Sequence, residues 1–112
     1  VTVSVKDSGS QSCSISTEHD LATITDANCY QLYLDLNAMQ GGASPDEIEV
    51  RVYGKARSSD TERLIDYHPV HSTQFRTLWV GKPYASPHYI RFTIKQTLGT
   101  GRTVPWAVYQ TQ

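Results

Sequence analysis

Long apolar runs are missing from this chain. No stretch approaches the roughly 18 consecutive apolar residues of a bilayer-spanning helix, so a soluble domain without a membrane partner is expected. An excess of one charge is missing too. Ten Lys and Arg stand against eleven Asp and Glu, a net charge of -1, which gives no broad field for a phosphate backbone or an anionic lipid surface. Nucleic acid is therefore not expected as a partner. The first residues, Val1-Thr-Val-Ser-Val5, alternate and do not form the basic start and unbroken apolar block of a secretory signal. Catalytic triads, phosphate loops and nucleotide fingerprints are absent, so neither an enzyme nor a cofactor is expected. Cysteine is scarce. Cys13 and Cys29 can close a loop of about 16 residues as a disulfide, or remain two ordinary thiols.

What is present is alternation with period two, the spacing that sends successive side chains to opposite faces of a sheet. Tyr30, Leu32, Leu34 and Leu36 alternate with Gln31, Tyr33 and Asp35. Ile48, Val50 and Val52 alternate with Glu47, Glu49, Arg51, Tyr53 and Lys55. Ile90, Phe92 and Ile94 alternate with Tyr89, Arg91, Thr93 and Lys95, and Val104, Trp106 and Val108 with Thr103, Ala107 and Tyr109. Between the last two runs, Leu98-Gly-Thr-Gly-Arg102 supplies glycines that accept positive φ at low cost, which predicts an antiparallel hairpin. Pro105 belongs at an edge, a bulge or an outward-facing position, because it cannot donate a ladder hydrogen bond.

Further strands are predicted over Val1–Val5, Ser10–Ser16, Leu21–Thr25, Arg63–Val70 and Gln74–Val80. Leu36-Asn-Ala-Met39 has some helical character, ended within a turn by Gly41-Gly42 and Ser44-Pro45. At 112 residues the chain is of single-domain size, burying about two thirds of its unfolded surface in one core. The expectation is one all-β domain over residues 1–112. It is a two-layer β-sandwich, jelly-roll or Greek-key, of about seven or eight antiparallel strands, with residues 1–10 as an N-terminal arm. Its core should hold Leu32, Leu34, Leu36, Val50, Val52, Ile90, Phe92, Ile94, Trp106 and Val108.

Four segments carry a resemblance. Cys29-Tyr-Gln-Leu-Tyr-Leu-Asp-Leu-Asn37, Asp46-Glu-Ile-Glu-Val-Arg-Val-Tyr53, Thr61-Glu-Arg-Leu-Ile65 and Gly99-Thr-Gly-Arg-Thr-Val-Pro-Trp106 resemble the strand and turn motifs of a group of small tailed-phage virion proteins. The likeness covers roughly residues 29 to 110; Pro105 and the two cysteines lie outside the pattern. It implies a structural part of the virion, a capsid decoration or cement protein, with a head or tail accessory role as the neighbouring one. The partners implied are the major capsid protein or other virion proteins, and further copies of the chain on the particle.

The residues themselves suggest where contacts fall. Tyr33, Tyr53, Tyr89 and Tyr109 lie on faces opposite the aliphatic ones, and tyrosine joins a large apolar contact to a polar handle. Such rings also stack on sugars, which keeps a carbohydrate-binding module as the rival reading. Trp79 to His88 carries Lys82, Tyr84 and His88 on a backbone stiffened by Pro83 and Pro87, and reads as an interaction loop. His68 and His71 have a spacing compatible with a metal, and Asp66 and His88 are the conceivable further ligands. Without evidence that these converge, a strand-edge loop is the simpler account and no metal is expected. Asp46, Glu47 and Glu49 invite a hydrolase reading, but 47 and 49 share an outward strand face, where carboxylates are normally solvated.

Overall fold

In the computed structural model, residues 2–39, 46–71 and 78–111 are described. They form nine strands and no helix: β1 (Val3–Ser12), β2 (Glu18–Ile24), β3 (Asn28–Asp35), β4 (Glu47–Gly54), β5 (Arg63–Val70), β6 (Leu78–Val80), β7 (Tyr84–Ser86), β8 (Ile90–Leu98) and β9 (Thr103–Thr111). All pairings are antiparallel. One sheet has the order β1-β9-β3-β6, with β7 also on β3, and the other the order β2-β8-β4-β5.

β6 and β7 run along the same side of β3, joined by the Gly81 N–H to the Leu32 carbonyl at 2.9 Å. Taken as one interrupted strand, they leave eight strand lines, paired first with last, second with seventh, third with sixth and fourth with fifth. Folding that ribbon into two four-line sheets is the winding of a jelly roll.

The alternation fills the space between the sheets. Every residue expected in the core is buried except Trp106, which is half-buried and packs against it. Tyr30, Ile48, Val104, Ile24 and Leu21 join them. Tyr30 is there because its hydroxyl reaches the Asp26 carbonyl at 2.8 Å, so burial strands no polar group. The predicted hairpin forms, with Gly99 at φ 95°. Around Leu36 the chain makes one turn, closed by Met39 N–H to Leu36 C=O at 2.9 Å.

Three expectations change. Val3–Ser10, expected within an N-terminal arm, belong to β1, and the described parts of the Val1–Val5 and Ser10–Ser16 pieces that are strand form one strand. Val3 to Ser12 pair continuously along β9 apart from a bulge between Val5 and Asp7. Half of the Trp79–His88 loop is strand, Trp79 and Val80 in β6 and Tyr84–Ser86 in β7. Of the predicted strand Gln74–Val80, Leu78–Val80 forms β6; 72–77 lie outside the described residues, as do Val1 and the 40–45 turn signals.

Candidate functional site

The two outer faces of the sandwich differ in kind. On the β2-β8-β4-β5 sheet, tyrosines and carboxylates consume one another. The Tyr53 hydroxyl donates to Glu18 at 2.6 Å, as does Thr93 at 2.6 Å. Tyr67 donates to Glu49 at 2.5 Å and Tyr89 to Glu62 at 2.5 Å. Arg91 grips Glu62 with two nitrogens, at 2.5 and 3.1 Å, pairs with Asp20 and stacks 4.2 Å over Tyr53. Lys55 sits 4.3 Å over Tyr89, and Arg51 pairs with Glu49 at 3.0 Å. The Arg91 guanidinium holds the Glu62 carboxyl below its ordinary pKa, and the Tyr67 hydroxyl does the same for Glu49. Some of these contacts join cross-strand neighbours, as Tyr53 of β4 and Glu18 of β2 meet across β8, and others, through Lys55, Glu62 and Tyr89, come from the strand ends and loops beside that face. Tyr53 and Tyr89 are therefore tied into the lattice.

The outer face of the β1-β9-β3-β6 sheet is almost without charge. Register places Val3 and Val5 of β1, Pro105, Ala107 and Tyr109 of β9, Gln31, Tyr33 and the charged Asp35 of β3, and Leu78 and Val80 of β6 on this side. The four aliphatics are open to solvent: Val3 62%, Val5 53%, Leu78 52% and Val80 45% exposed. Tyr33 and Tyr109 meet edge to face with centroids 4.9 Å apart. Beside them runs a groove of about 400 Å³ lined by Tyr33, Asp35, Leu78, Pro105, Trp106, Ala107 and Tyr109. Asp35 accepts the Asn37 N–H at 2.9 Å. Pro105 is exposed one residue beyond the last β3–β9 pair, so β3 asks no N–H of it.

No protein-family model matches the chain, and no curated protein matches it.

A third cluster closes one side of the sandwich, where the edge strands β5 and β7 approach. The register slips by one residue across Gly81–Pro83, which turns both Trp79 and Tyr84 inward. Tyr84 packs edge-on to Phe92 at 6.2 Å and donates to Asp66 at 2.6 Å. Lys82 pairs with the same Asp66 oxygen at 3.1 Å, and His68 Nε2 lies 3.1 Å from it and 2.9 Å from the Tyr84 hydroxyl. The Tyr84 hydrogen bond, reinforced by Lys82, lowers the Asp66 pKa to about 2. Burial, then Asp66, pushes Tyr84 up. Tyr84 is thus an inward clasp residue rather than part of an open loop, and Lys82 supports it.

The conceivable metal ligands separate. His68 stays with Asp66, His71 lies 3.3 Å from Glu47, and His88 contacts the Lys55 carbonyl at 3.0 Å. Among the described residues no three His, Cys, Asp or Glu side chains gather in a metal-binding group. Cys13 and Cys29 are free thiols, Cys13 buried and Cys29 half-buried. Of the sequence candidates, the fold brings Tyr33 and Tyr109 together on the charge-poor face. It adds Leu78 and Val80, turned outward by the pairing of β6 with β3, and Val3 and Val5, turned outward by the pairing of β1 with β9.

Proposed function

We propose that this chain is a non-catalytic structural protein of a phage particle, a capsid decoration or cement protein that binds the shell through the outer face of the β1-β9-β3-β6 sheet. The observation that carries this reading is the contrast between faces: one covered largely by its own ion pairs, with exposed Leu64 and Ile65 at its β5 edge, the other presenting exposed aliphatics and a Tyr33–Tyr109 pair with little charge. Charge depletion with tyrosine is the composition of an interface centre. The jelly-roll winding, common among capsid domains but shared with lectins, and the motif resemblance point the same way.

Such a protein acts by mass action. Copies that bind the assembled lattice and not its free subunits stabilise assembly. The partner is the major capsid protein or another virion protein, and the location is the virion.

A second reading, a carbohydrate-binding or tail-associated module, draws on the groove lined by Tyr33, Trp106 and Tyr109. The edge-to-face Tyr33–Tyr109 pair favours protein contact over it, since a sugar ring stacks best on a flat exposed aromatic face.

Sedimentation with purified capsids tests the proposal. The intact protein should pellet with them, and Tyr109→Glu or Val80→Glu should stay in the supernatant with an unchanged circular-dichroism spectrum. Failure of the intact protein to pellet, or equal pelleting of both variants, refutes it. Glycan binding lost in Tyr33→Ala would favour the second reading.

A further inference from the structure

β1 is an outer strand. β9 covers one side of it, and among the described residues no strand covers the other. Two contacts show which backbone groups meet the open side. Asp7 Oδ1 accepts the Ser8 N–H at 2.9 Å, and the Gln11 side chain donates to the Ser12 carbonyl at 2.9 Å. Even-numbered residues here therefore direct their main chain away from β9. Pro105 fits this phase: it stands opposite Ser10, and an outward-pointing Ser10 asks no N–H of it.

The remaining edges carry the protections that edge strands commonly have. β2 bears Glu18 and Asp20 and a bulge between Asp20 and Ala22. β5 contains Pro69 and meets β4 with a register shift. The β6–β7 line is interrupted at Gly81–Pro83. From Ser8 to Ser12, β1 has no charge, proline or register shift.

We propose that β1 pairs antiparallel with β1 of a second copy of this chain, joining their two charge-poor sheets across a two-fold axis near Gly9. Because the other edges are guarded, the contact is isologous and closes at a dimer instead of growing into a fibre. Charge permits the self-pairing. With the axis at Ser8, Gly9 or Ser10, Lys6 falls opposite Ser10, Ser12 or Ser14 of the second copy, and Asp7 opposite its Gly9, Gln11 or Cys13. No charged residue meets its like. Gly9 suits close backbone approach, and Trp106 roofs it from within: a Cβ at Gly9 would lie 3.3 Å from the indole ring. This dimer is independent of the particle reading and is measured on purified protein alone.

Sedimentation equilibrium should give twice the chain mass, dissociating on dilution. Ser10→Lys places a cation on the edge and should weaken the dimer about tenfold or more. Ser10→Pro, which deletes an outward N–H, should do the same, both with unchanged far-ultraviolet circular dichroism. Ser58→Lys, in an exposed turn, should leave the dimer intact. Amide exchange at Ser10 should be slow in the dimer and fast in Ser10→Lys, while β9 amides stay protected. A wild-type monomer at every soluble concentration overturns the proposal. So does a dimer indifferent to both Ser10 variants, including one that Tyr109→Lys dissociates, which would place the contact on the sheet face. If Ser10→Pro fails to fold, Ser10→Lys decides.

Discussion

Asp46 Oδ2 accepts a hydrogen bond from Arg102 Nε at 3.0 Å, across 56 positions of sequence, with the Asp46 side chain wholly buried. Its other oxygen accepts the Thr100 N–H at 3.1 Å. The buried Gln96 side chain donates to the Thr100 carbonyl at 2.7 Å and accepts the Arg102 N–H at 3.0 Å. Two buried polar side chains thus supply the turn between β8 and β9 with the partners that its backbone lacks. Asp46 and Arg102 belong to two of the motifs on which the virion-protein resemblance rests, so part of that pattern has a structural cause: it fastens a hairpin to the start of β4.

Asp46→Ala should therefore be costly. It leaves the Thr100 N–H unsatisfied and Arg102 half-buried without this carboxylate, a loss of about 3 kcal/mol. Urea denaturation should show a lower midpoint with an unchanged slope.

Phe92 is fully buried on β8 and meets the Tyr84 ring at 6.2 Å. Phe92→Ala removes a large side chain from a close-packed space and should cost about 3–5 kcal/mol. Thermal unfolding followed by circular dichroism measures it.

Acid should loosen the clasp between β5 and β7. Tyr84 lowers the Asp66 pKa from 3.8 to about 2. The unfolded chain therefore binds this proton more readily, so stability rises with pH through the interval from about 2 to 4 and falls as acid protonates Asp66. Glu62 and Glu49, lowered by Arg91 and Tyr67, shift in the same direction. Asp66→Asn should flatten part of the acid limb of a stability–pH curve; an identical limb would deny the clasp its role.

Removing Val1–Ser8 should destabilise the domain, because those residues include much of β1 and its pairing with the C-terminal half of β9. A melting temperature several degrees lower is expected. An unchanged one would return these residues to the status of an arm.

Most of the fold was written in local alternation. The runs at Tyr30–Leu36, Glu47–Lys55, Tyr89–Lys95 and Thr103–Tyr109 repeat with period two, and burying every second residue leaves a strand little choice of face. β1 was legible only as two pieces, Val1–Val5 and Ser10–Ser16, because its second half is Ser, Gly and Gln, which carry no hydrophobic period, and its continuity is fixed by β9 and the Trp106 ring over Gly9. Sequence likewise placed tyrosines opposite the aliphatics without distinguishing among them. Tertiary structure gave Tyr53 and Tyr89 carboxylate partners from distant parts of the chain, turned Tyr84 inward through a one-residue slip, and set Tyr33 against Tyr109 on the open face. Local pattern determines which way a side chain points from its own strand; what it meets there depends on residues brought from distant parts of the chain, and only the closed sandwich decides that.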